Sequence, residues 1–479
     1  MSLKKQALTG VKWTTVSMAI VTILQFAQLS IMARLLEPED FGLMAIMMVV
    51  IGFSQAFQDM GISNAIIQRQ NITHNQLSSL YWLNIVSGIV LTLIVLAISP
   101  LVASFYDEPR ITGLMAVLSS VFVLVALGNQ YRVLCQKELN FRAMEGINII
   151  ASAAALATAI FFAVHDYGVL ALVYAMLAQA GIASALFLWV GLRHYHKPSF
   201  IYKHSELKGF YGFGLYQMGE KSINYISANA DKMLIGKLVG INAVGFYNLA
   251  WQLVIFPLSK INPIVNKVAF PVYSKVQNDP AALDKYYSFN VKILALVTMP
   301  LLAFLMFFSH EVVYIVFGQG WEHTADLLPA LGLIGILKAL GNPGGAIILA
   351  MGRADVGFWW NIIWAGAIFA ALTIGLSLSP STHTAVYILV GMSLSLGMVW
   401  HVLIAKIAKV NYLPLVKHFF KTFVVVMLIG WLGSYIPDLT NTTNAFARVA
   451  IGGVVCATIY AAYIISFEKN LLQLLKRKN

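Results

Sequence analysis

Two cysteines, Cys135 and Cys456, are all that the 479 residues contain, which excludes a disulfide framework and a cysteine-rich metal site. Charge is scarce as well. Charged residues make up 11% of the chain, and Asp and Glu together number 20. A water-soluble protein of this length needs more than that to cover its surface. No GxxxxGK[ST] stretch is present, so the chain has no phosphate-cradling loop with which to hydrolyse ATP. No His, Asp and Glu fall at metal-ligand spacing, and neither a metal ligand nor a catalytic residue is assigned. His194, His196 and His204 lie in a basic stretch and are read as solvated. Long polar loops are missing too.

Apolar length is what the sequence has. Hydrophobic residues make up 59% and the mean hydropathy is +0.77. A spanning helix needs about 20 mostly apolar residues, because the hydrocarbon core is about 30 Å thick. Fourteen stretches qualify: 13–35, 41–63, 80–103, 112–131, 146–164, 168–192, 210–235, 244–270, 290–309, 326–350, 358–379, 384–405, 417–436 and 446–467. The stretch 210–235 is the most polar, with Glu220, Lys221, Asp231 and Lys232. These runs are too long and continuous for the roughly 10-residue strands of a β-barrel. The fold class is all-α, a polytopic membrane protein with about 14 transmembrane helices.

Orientation follows from the basic residues. With a cytoplasmic N-terminus, most of the 32 Lys and Arg fall in cytoplasmic tails and loops, including Lys4, Lys5, Arg132, Lys137, Arg193, Lys203 and Lys476. Acids gather on the other side, among them Glu37, Glu39, Asp107, Glu108, Glu311 and Glu322. Both termini are expected in the cytoplasm. The net charge of +12 is topogenic and meets anionic lipid; no loop is large enough to dock nucleic acid. The first 12 residues lack a signal-peptide pattern, so the first span is expected to stay as an anchor.

The chain repeats itself at an offset of 203. RLLEPEDFG at 34–42 matches KLVGINAVG at 237–245, pairing Arg34 with Lys237 and Gly42 with Gly245. A fainter echo pairs VLCQK (133–137) with LAMGR (349–353). Six helices separate the copies, so both halves run the same way, a parallel repeat about an axis along the membrane normal. The expected layout is an N-lobe (1–192, helices 1–6), a basic cytoplasmic linker (193–209), a C-lobe (210–405, helices 7–12), and trailing helices 13–14 with a basic tail (406–479). The linker is expected to carry an interfacial segment.

A charge near the bilayer centre costs roughly 2.5–3.5 kcal/mol, so it faces a partner or a watery cavity. Glu220, Lys221, Lys260 and Lys338 lie near the estimated midplane, all in the C-lobe. Asn224 sits one turn from Glu220, and Asn262 and Asn266 continue helix 8. In the N-lobe, Gln25 and Gln28 share a face of helix 1, and helix 2 carries Gln55, Gln58 and the ionisable Asp59. Asp231 and Lys232 lie nearer the outer end and are read as snorkelling. Three midplane lysines against one glutamate leave a positive excess, which suits an anionic substrate passing between the lobes. A helix-packing clamp is the alternative for Glu220. Pro257 and Pro263 flank Lys260, and GNPGG (341–345) follows Lys338. Broken or bendable helices at a polar midplane suit an alternating-access carrier; a structural kink is the alternative.

Several stretches carry a family likeness: KKQALTGVKWTTVS, ARLLEPEDFGLMA, DMGISNAIIQRQNIT, YWLN (81–84), NADKMLIGKLVGINAVGFYNLA, NPIVNKVAFPVYSKVQND and GNPGGAIILAMGRADVGFWWN. They resemble the polysaccharide-transporter family of the multidrug/oligosaccharidyl-lipid/polysaccharide exporter superfamily, nearest to Wzx-type flippases of the colanic-acid exporter kind. The likeness runs from near residue 1 to about 410. It implies a V-shaped pair of six-helix lobes plus two helices, in a bacterial inner membrane. It implies transfer of undecaprenyl-diphosphate-linked oligosaccharide repeat units from the inner to the outer leaflet, with a cationic cavity for the diphosphate. A repeat-unit polymerase and a chain-length regulator would be its partners beside membrane lipid. Related peptidoglycan-precursor flippases place arginines inside helices 1 and 2, where this chain has glutamines.

Together these readings make Lys221, Lys260, Lys338, Asn224, Asn262, Gln25, Gln28 and Gln55 the expected substrate-binding residues. Glu220 and Asp59 are the expected coupling or salt-bridge groups. No cofactor is expected beyond a coupling H+ or Na+. Two rival readings stay open: a small-molecule cation antiporter of the same superfamily, which would need an acidic cavity, and an integral-membrane polysaccharide polymerase or ligase. The latter would need a sizeable outer loop, and the longest outer one expected here is 310–325.

Overall fold

The computed structural model describes residues 3–58, 62–69, 71–203, 214–440 and 442–468, and they are helical with no strand among them. They divide into two compact units, Met1–Gly245 and Phe246–Asn479. The first holds α1 (Leu3–Leu35), α2 (Pro38–Gln58), α3 (Ile62–Gln68), α4 (His74–Tyr106), α5 (Arg110–Ser119), α6 (Val121–Lys137), α7 (Phe141–Val164), α8 (Val169–His194) and α9 (Gly214–Leu238). Helix α10 (Ile241–Lys275) starts there and runs into the second unit. That unit continues with α11 (Pro280–Phe307), α12 (Ser309–Phe317), α13 (Glu322–Ala350), α14 (Ala354–Leu378), α15 (Thr382–Ala408), α16 (Tyr412–Leu439) and α17 (Ala445–Phe467).

Each expected span falls largely on a helix. Twelve of the described helical stretches are long and apolar enough to cross a membrane. The two expected spans outside that set coincide with α2 and α9.

The expected span at 112–131 is two helices, α5 and α6, that meet at Ser119 and Ser120. A break inside a bilayer leaves carbonyls without helical partners, and each such group costs several kcal/mol unless it is met. Here the Thr92 hydroxyl donates to the Ser119 carbonyl at 3.0 Å, and just past the break Gln58 Nε2 donates to the Phe122 carbonyl in the first turn of α6 at 2.7 Å. Gln58 is therefore a structural group, buried between helices.

In the first unit α7 packs between α1 and α8, and α6 against α4 and α8. Helix α9 lies on α2, where the Tyr225 hydroxyl donates to the Met48 carbonyl at 2.8 Å. In the second unit α13 is the central helix, between α11 and α15. Buried residues make up 61% of its apolar window, against 11% in α17 at the edge.

The sequence repeat has a physical counterpart at the first turns of α2 and α10. A side chain on Gly42 would meet the Ile241 carbonyl oxygen at 2.0 Å, and one on Gly245 would meet the Pro38 carbonyl oxygen at 1.9 Å. Under the 203-residue offset Pro38 maps to Ile241 and Gly42 to Gly245. The two contacts are copies of one another. Each hairpin lays its glycine on the opening residue of the other, so the sequence repeat is matched by a reciprocal close approach. Next to it Arg110 pairs with Glu39 and Glu108, and Lys237 Nζ meets Asp107 Oδ2 at 2.8 Å.

Two expectations change, those for His196 and Asp231. The linker is expected to carry an interfacial segment; its described part, to residue 203, is an extended strip docked on α4, and 204–209 lie outside the described residues. Ser199 N donates to Ser78 Oγ at 3.0 Å, Trp82 Nε1 to the Ser199 carbonyl at 2.8 Å, and Lys203 N to Ser79 Oγ at 3.1 Å. His196, expected to be solvated, is 7% exposed and lies against the His74 ring at 4.6 Å. Burial, then the nearby His74, holds its imidazole below the usual histidine range. His194 is exposed as expected, and His204 lies outside the described residues. Asp231, expected to snorkel, is 6% exposed.

Candidate functional site

The polar residues of the second unit converge where α10 meets α13. Gly335 makes the approach possible: a Cβ there would fall 2.6 Å from Val254 Cγ1 and 3.7 Å from Leu258 Cδ1. Lys338 follows by three residues and so shares that face. Its Nζ lies 4.8 Å from the ring centroid of Trp251 on α10. An ammonium over an indole face is attracted by the ring quadrupole. Further along the same seam Asn266 Nδ2 donates to Asn342 Oδ1 at 3.4 Å.

That single bond leaves the amides half used. Asn262 Oδ1, Asn266 Oδ1 and Asn342 Nδ2 are buried with no hydrogen-bond partner among the described residues. A buried polar atom left unmet costs roughly 1–3 kcal/mol. The prolines add to this. Pro343 and Pro263 have no N–H, so the carbonyls four residues back, of Ala339 and Ser259, lose their helical donors. Both helices nevertheless run unbroken, α10 through Pro257, Pro263 and Pro271 and α13 through Pro329 and Pro343. The break that the sequence suggested at GNPGG is absent because Trp400 braces it: its Nε1 donates to the Gly341 carbonyl at 3.3 Å. Lys338 over Trp251 and, one turn further along α13, Asn342 against Asn266 thus put a cation and unmet amide atoms on facing helices, groups able to meet an anion by charge and neutral polar groups by hydrogen bonds.

Lys260 is elsewhere. It follows Leu258 by two residues, about 200° around the helix. Its Nζ lies 5.5 Å over Phe256, on its own helix. The structure therefore joins Lys338 and Asn342 to Trp251 and Asn266 and turns Lys260 to another face. Of the other expected residues, Asn224, Gln25 and Gln55 are exposed and Gln28 is half-buried on its helix. Asp59 lies outside the described residues, as do the side chains of Glu220 and Lys221 on α9. Trp251 and Asn342 were not singled out. Only the proximity of Asn342 to Lys338 in the sequence pointed there.

A second polar site was not anticipated. Between α1, α7 and α8 lies a cavity of about 270 Å³ lined by Thr14, Ser17, Glu145, Asn148, Ser152 and Gln179 among others. Glu145 is 7% exposed. Asn148 Nδ2 donates to its Oε2 at 3.2 Å, and Ser17 Oγ donates to its backbone carbonyl at 3.4 Å. Asn140 caps α7 through the Ala143 N–H, which places Glu145 near the positive end of the helix dipole. Arg142, one turn away, lies over the Trp13 ring at 5.6 Å. Glu145 sits one residue before the expected span, which is why the sequence reading passed over it.

Comparison with known proteins gives a consistent result. The family described as "Polysaccharide biosynthesis protein" matches residues 31–326. The teichuronic acid biosynthesis protein TuaB of Bacillus subtilis is 32% identical over 100% of this chain and 99% of its own length. The lipopolysaccharide biosynthesis protein WzxC of Escherichia coli is 31% identical over 78% of this chain and 76% of its own. Among solved structures, the lipid II flippase MurJ in an inward closed conformation superposes with a TM-score of 0.74, at 14% identity over 96% of this chain and 99% of that one. An inward-facing multidrug resistance MATE transporter gives 0.63, at 16% identity over 84% and 99%.

Proposed function

The chain belongs to the polysaccharide biosynthesis protein family, and from that membership we propose that it is a flippase for lipid-linked oligosaccharides. It moves an undecaprenyl-diphosphate-linked repeat unit from the inner to the outer leaflet of a bacterial inner membrane, by alternating access. Both termini lie in the cytoplasm. A repeat-unit polymerase and a chain-length regulator take up the product. The observation that supports the substrate class is Lys338 over Trp251, one turn of α13 from Asn342, whose amide accepts a hydrogen bond from Asn266. The lysine meets the diphosphate as a mobile point charge, and the amides meet its oxygens or the first sugar. Lys260, in the same unit, adds positive potential from α10.

Deletion in the parent bacterium separates this reading from its rivals. Loss of surface polysaccharide is expected, with complete repeat units retained on the cytoplasmic side. A polymerase would leave single units in the outer leaflet. An antiporter would leave polysaccharide intact and change drug sensitivity, and either result would overturn the proposal.

Transport against a gradient needs a coupled ion, H+ or Na+. We assign that role to Glu145, a buried carboxylate among oxygen donors in a cavity. Glu145→Gln keeps the shape and removes the charge. It is expected to leave the amount of protein in the membrane near parental. Transport should fall roughly tenfold, the size of a 1–2 kcal/mol coupling, and lose its dependence on the ion gradient. Unchanged export with an unchanged response to pH and Na+ would remove Glu145 from the cycle.

A further inference from the structure

At the end of the second unit that carries the α12–α13 turn, four titratable side chains from three helices meet. His323 and Asp326 stand three residues apart on the first turns of α13, on one face. His383 stands at the start of α15, where Ser381 caps the helix by accepting from the His383 N–H. One ligand atom from each of His323, Asp326 and His383 lies within 4.8 Å of the others. His310 on α12 adds a fourth group, its Nε2 3.4 Å from Asp326 Oδ1.

We propose that His323, Asp326 and His383 form a binding site for a divalent transition metal, zinc above all, with His310 or water as fourth ligand. Two imidazoles and a carboxylate are the donor set that favours zinc, nickel or copper over magnesium and calcium, which take oxygen throughout. Tetrahedral ligands at about 2.0–2.1 Å from zinc sit about 3.4 Å apart. Closing the present spacing to that value takes side-chain movements of about 1 Å. The groups that must move have room: the His310 and Asp326 side chains are 63% and 46% exposed.

The other two are held in place. His323 Nε2 hydrogen-bonds the hydroxyl of Thr382, which is 3% exposed, and Phe246 packs on the His323 ring at 5.2 Å. Fixing an imidazole through its second nitrogen is what partners around metal sites ordinarily do. The His323 and His383 rings stand edge to face with centroids 5.0 Å apart. The ligands come from positions up to 60 residues apart, and no local spacing announces them. A bound metal would tie the first turns of α13 and α15 together, about 22 Å along α13 from Lys338.

The test uses the full-length chain, tag-free and metal-stripped, in detergent, with equilibrium dialysis against zinc. One zinc per chain is expected. His383→Gln and His323→Gln should each weaken binding by ten- to hundredfold. Asp326→Asn should weaken it less, and His165→Gln, in the other unit, not at all. Cobalt in place of zinc should give the visible absorption of a tetrahedral site, lost in His383→Gln. A melting temperature equal to the parent's without metal verifies that each variant is folded; where His323→Gln is not, His383→Gln and Asp326→Asn carry the comparison. Zinc binding by the His323→Gln/His383→Gln double variant equal to the parent's, or no binding by the parent, would overturn the site.

Discussion

Lys338→Gln is expected to abolish surface polysaccharide while leaving the chain folded in the membrane. The residue is exposed, so its removal empties no packed volume. What it removes is the cation at the Trp251 face and the charge at the head of the seam. A charge-assisted contact is worth roughly 1.5–3 kcal/mol, about ten- to hundredfold in affinity for a diphosphate. Lys338→Arg should restore part of the activity, because the charge stays while the planar guanidinium stacks differently on the indole. Trp251→Leu should give an intermediate loss, since the lysine keeps its charge but not its seat. Lys260→Gln separates two hypotheses: a general positive potential predicts a similar loss, a localised seat at Lys338 a smaller one. The measurement is surface polysaccharide per copy of the chain, with binding of the lipid diphosphate to the purified variants. Parental export from the Lys338→Gln/Lys260→Gln double variant would sink the cationic site altogether.

Gly245→Val is expected to fail at folding. Any Cβ at Gly245 would enter the Pro38 carbonyl, and any at Gly42 the Ile241 carbonyl. These neighbours are backbone, which cannot rotate aside as a side chain does. Overpacking at such a site costs roughly 1–3 kcal/mol or more. Gly42→Ala and Gly245→Ala should each lower the melting temperature, and the double variant should scarcely accumulate. Gly146→Ala and Gly366→Ala are the controls, since nothing lies within 4 Å of a Cβ at either. Both sit inside helices, where alanine is favoured by about 1 kcal/mol. Thermal stability in detergent and membrane abundance check all six variants. Normal accumulation of Gly42→Ala/Gly245→Ala would show that the hairpins can part without consequence.

The helices were legible because a run of about 20 apolar residues has few other stable solutions in a bilayer. The parallel repeat was legible from Gly42 and Gly245, whose spacing the structure converts into a reciprocal contact. Pairings across helices were not. Nothing in a helical period links Trp251 to Lys338, or His323 to His383. Depth alone pointed to Lys338 and Lys260 alike, and the sequence does not specify the face of α10 that Lys260 takes. Glu145 was missed from the opposite cause: near a span end a carboxylate reads as solvated, and only packing of α1 and α8 over it shows otherwise. His196 misled in the same way, because a basic stretch is polar in composition whether or not part of it docks.

The strip docked on α4 also sets a mechanical limit. Lys203 is pinned to Ser79, and α9 begins at Gly214. Eleven peptide units span at most about 40 Å, whatever their path. The start of α9 is therefore on a leash of that length, anchored to α4 rather than to the end of α8. Lengthening the chain upstream of His196 would add nothing to the leash, whereas each residue inserted between Lys203 and Gly214 would add about 3.5 Å. The distance that α9 can open from α4 at its first residue is thus capped by the second half of the linker, whatever its packing on α2 allows.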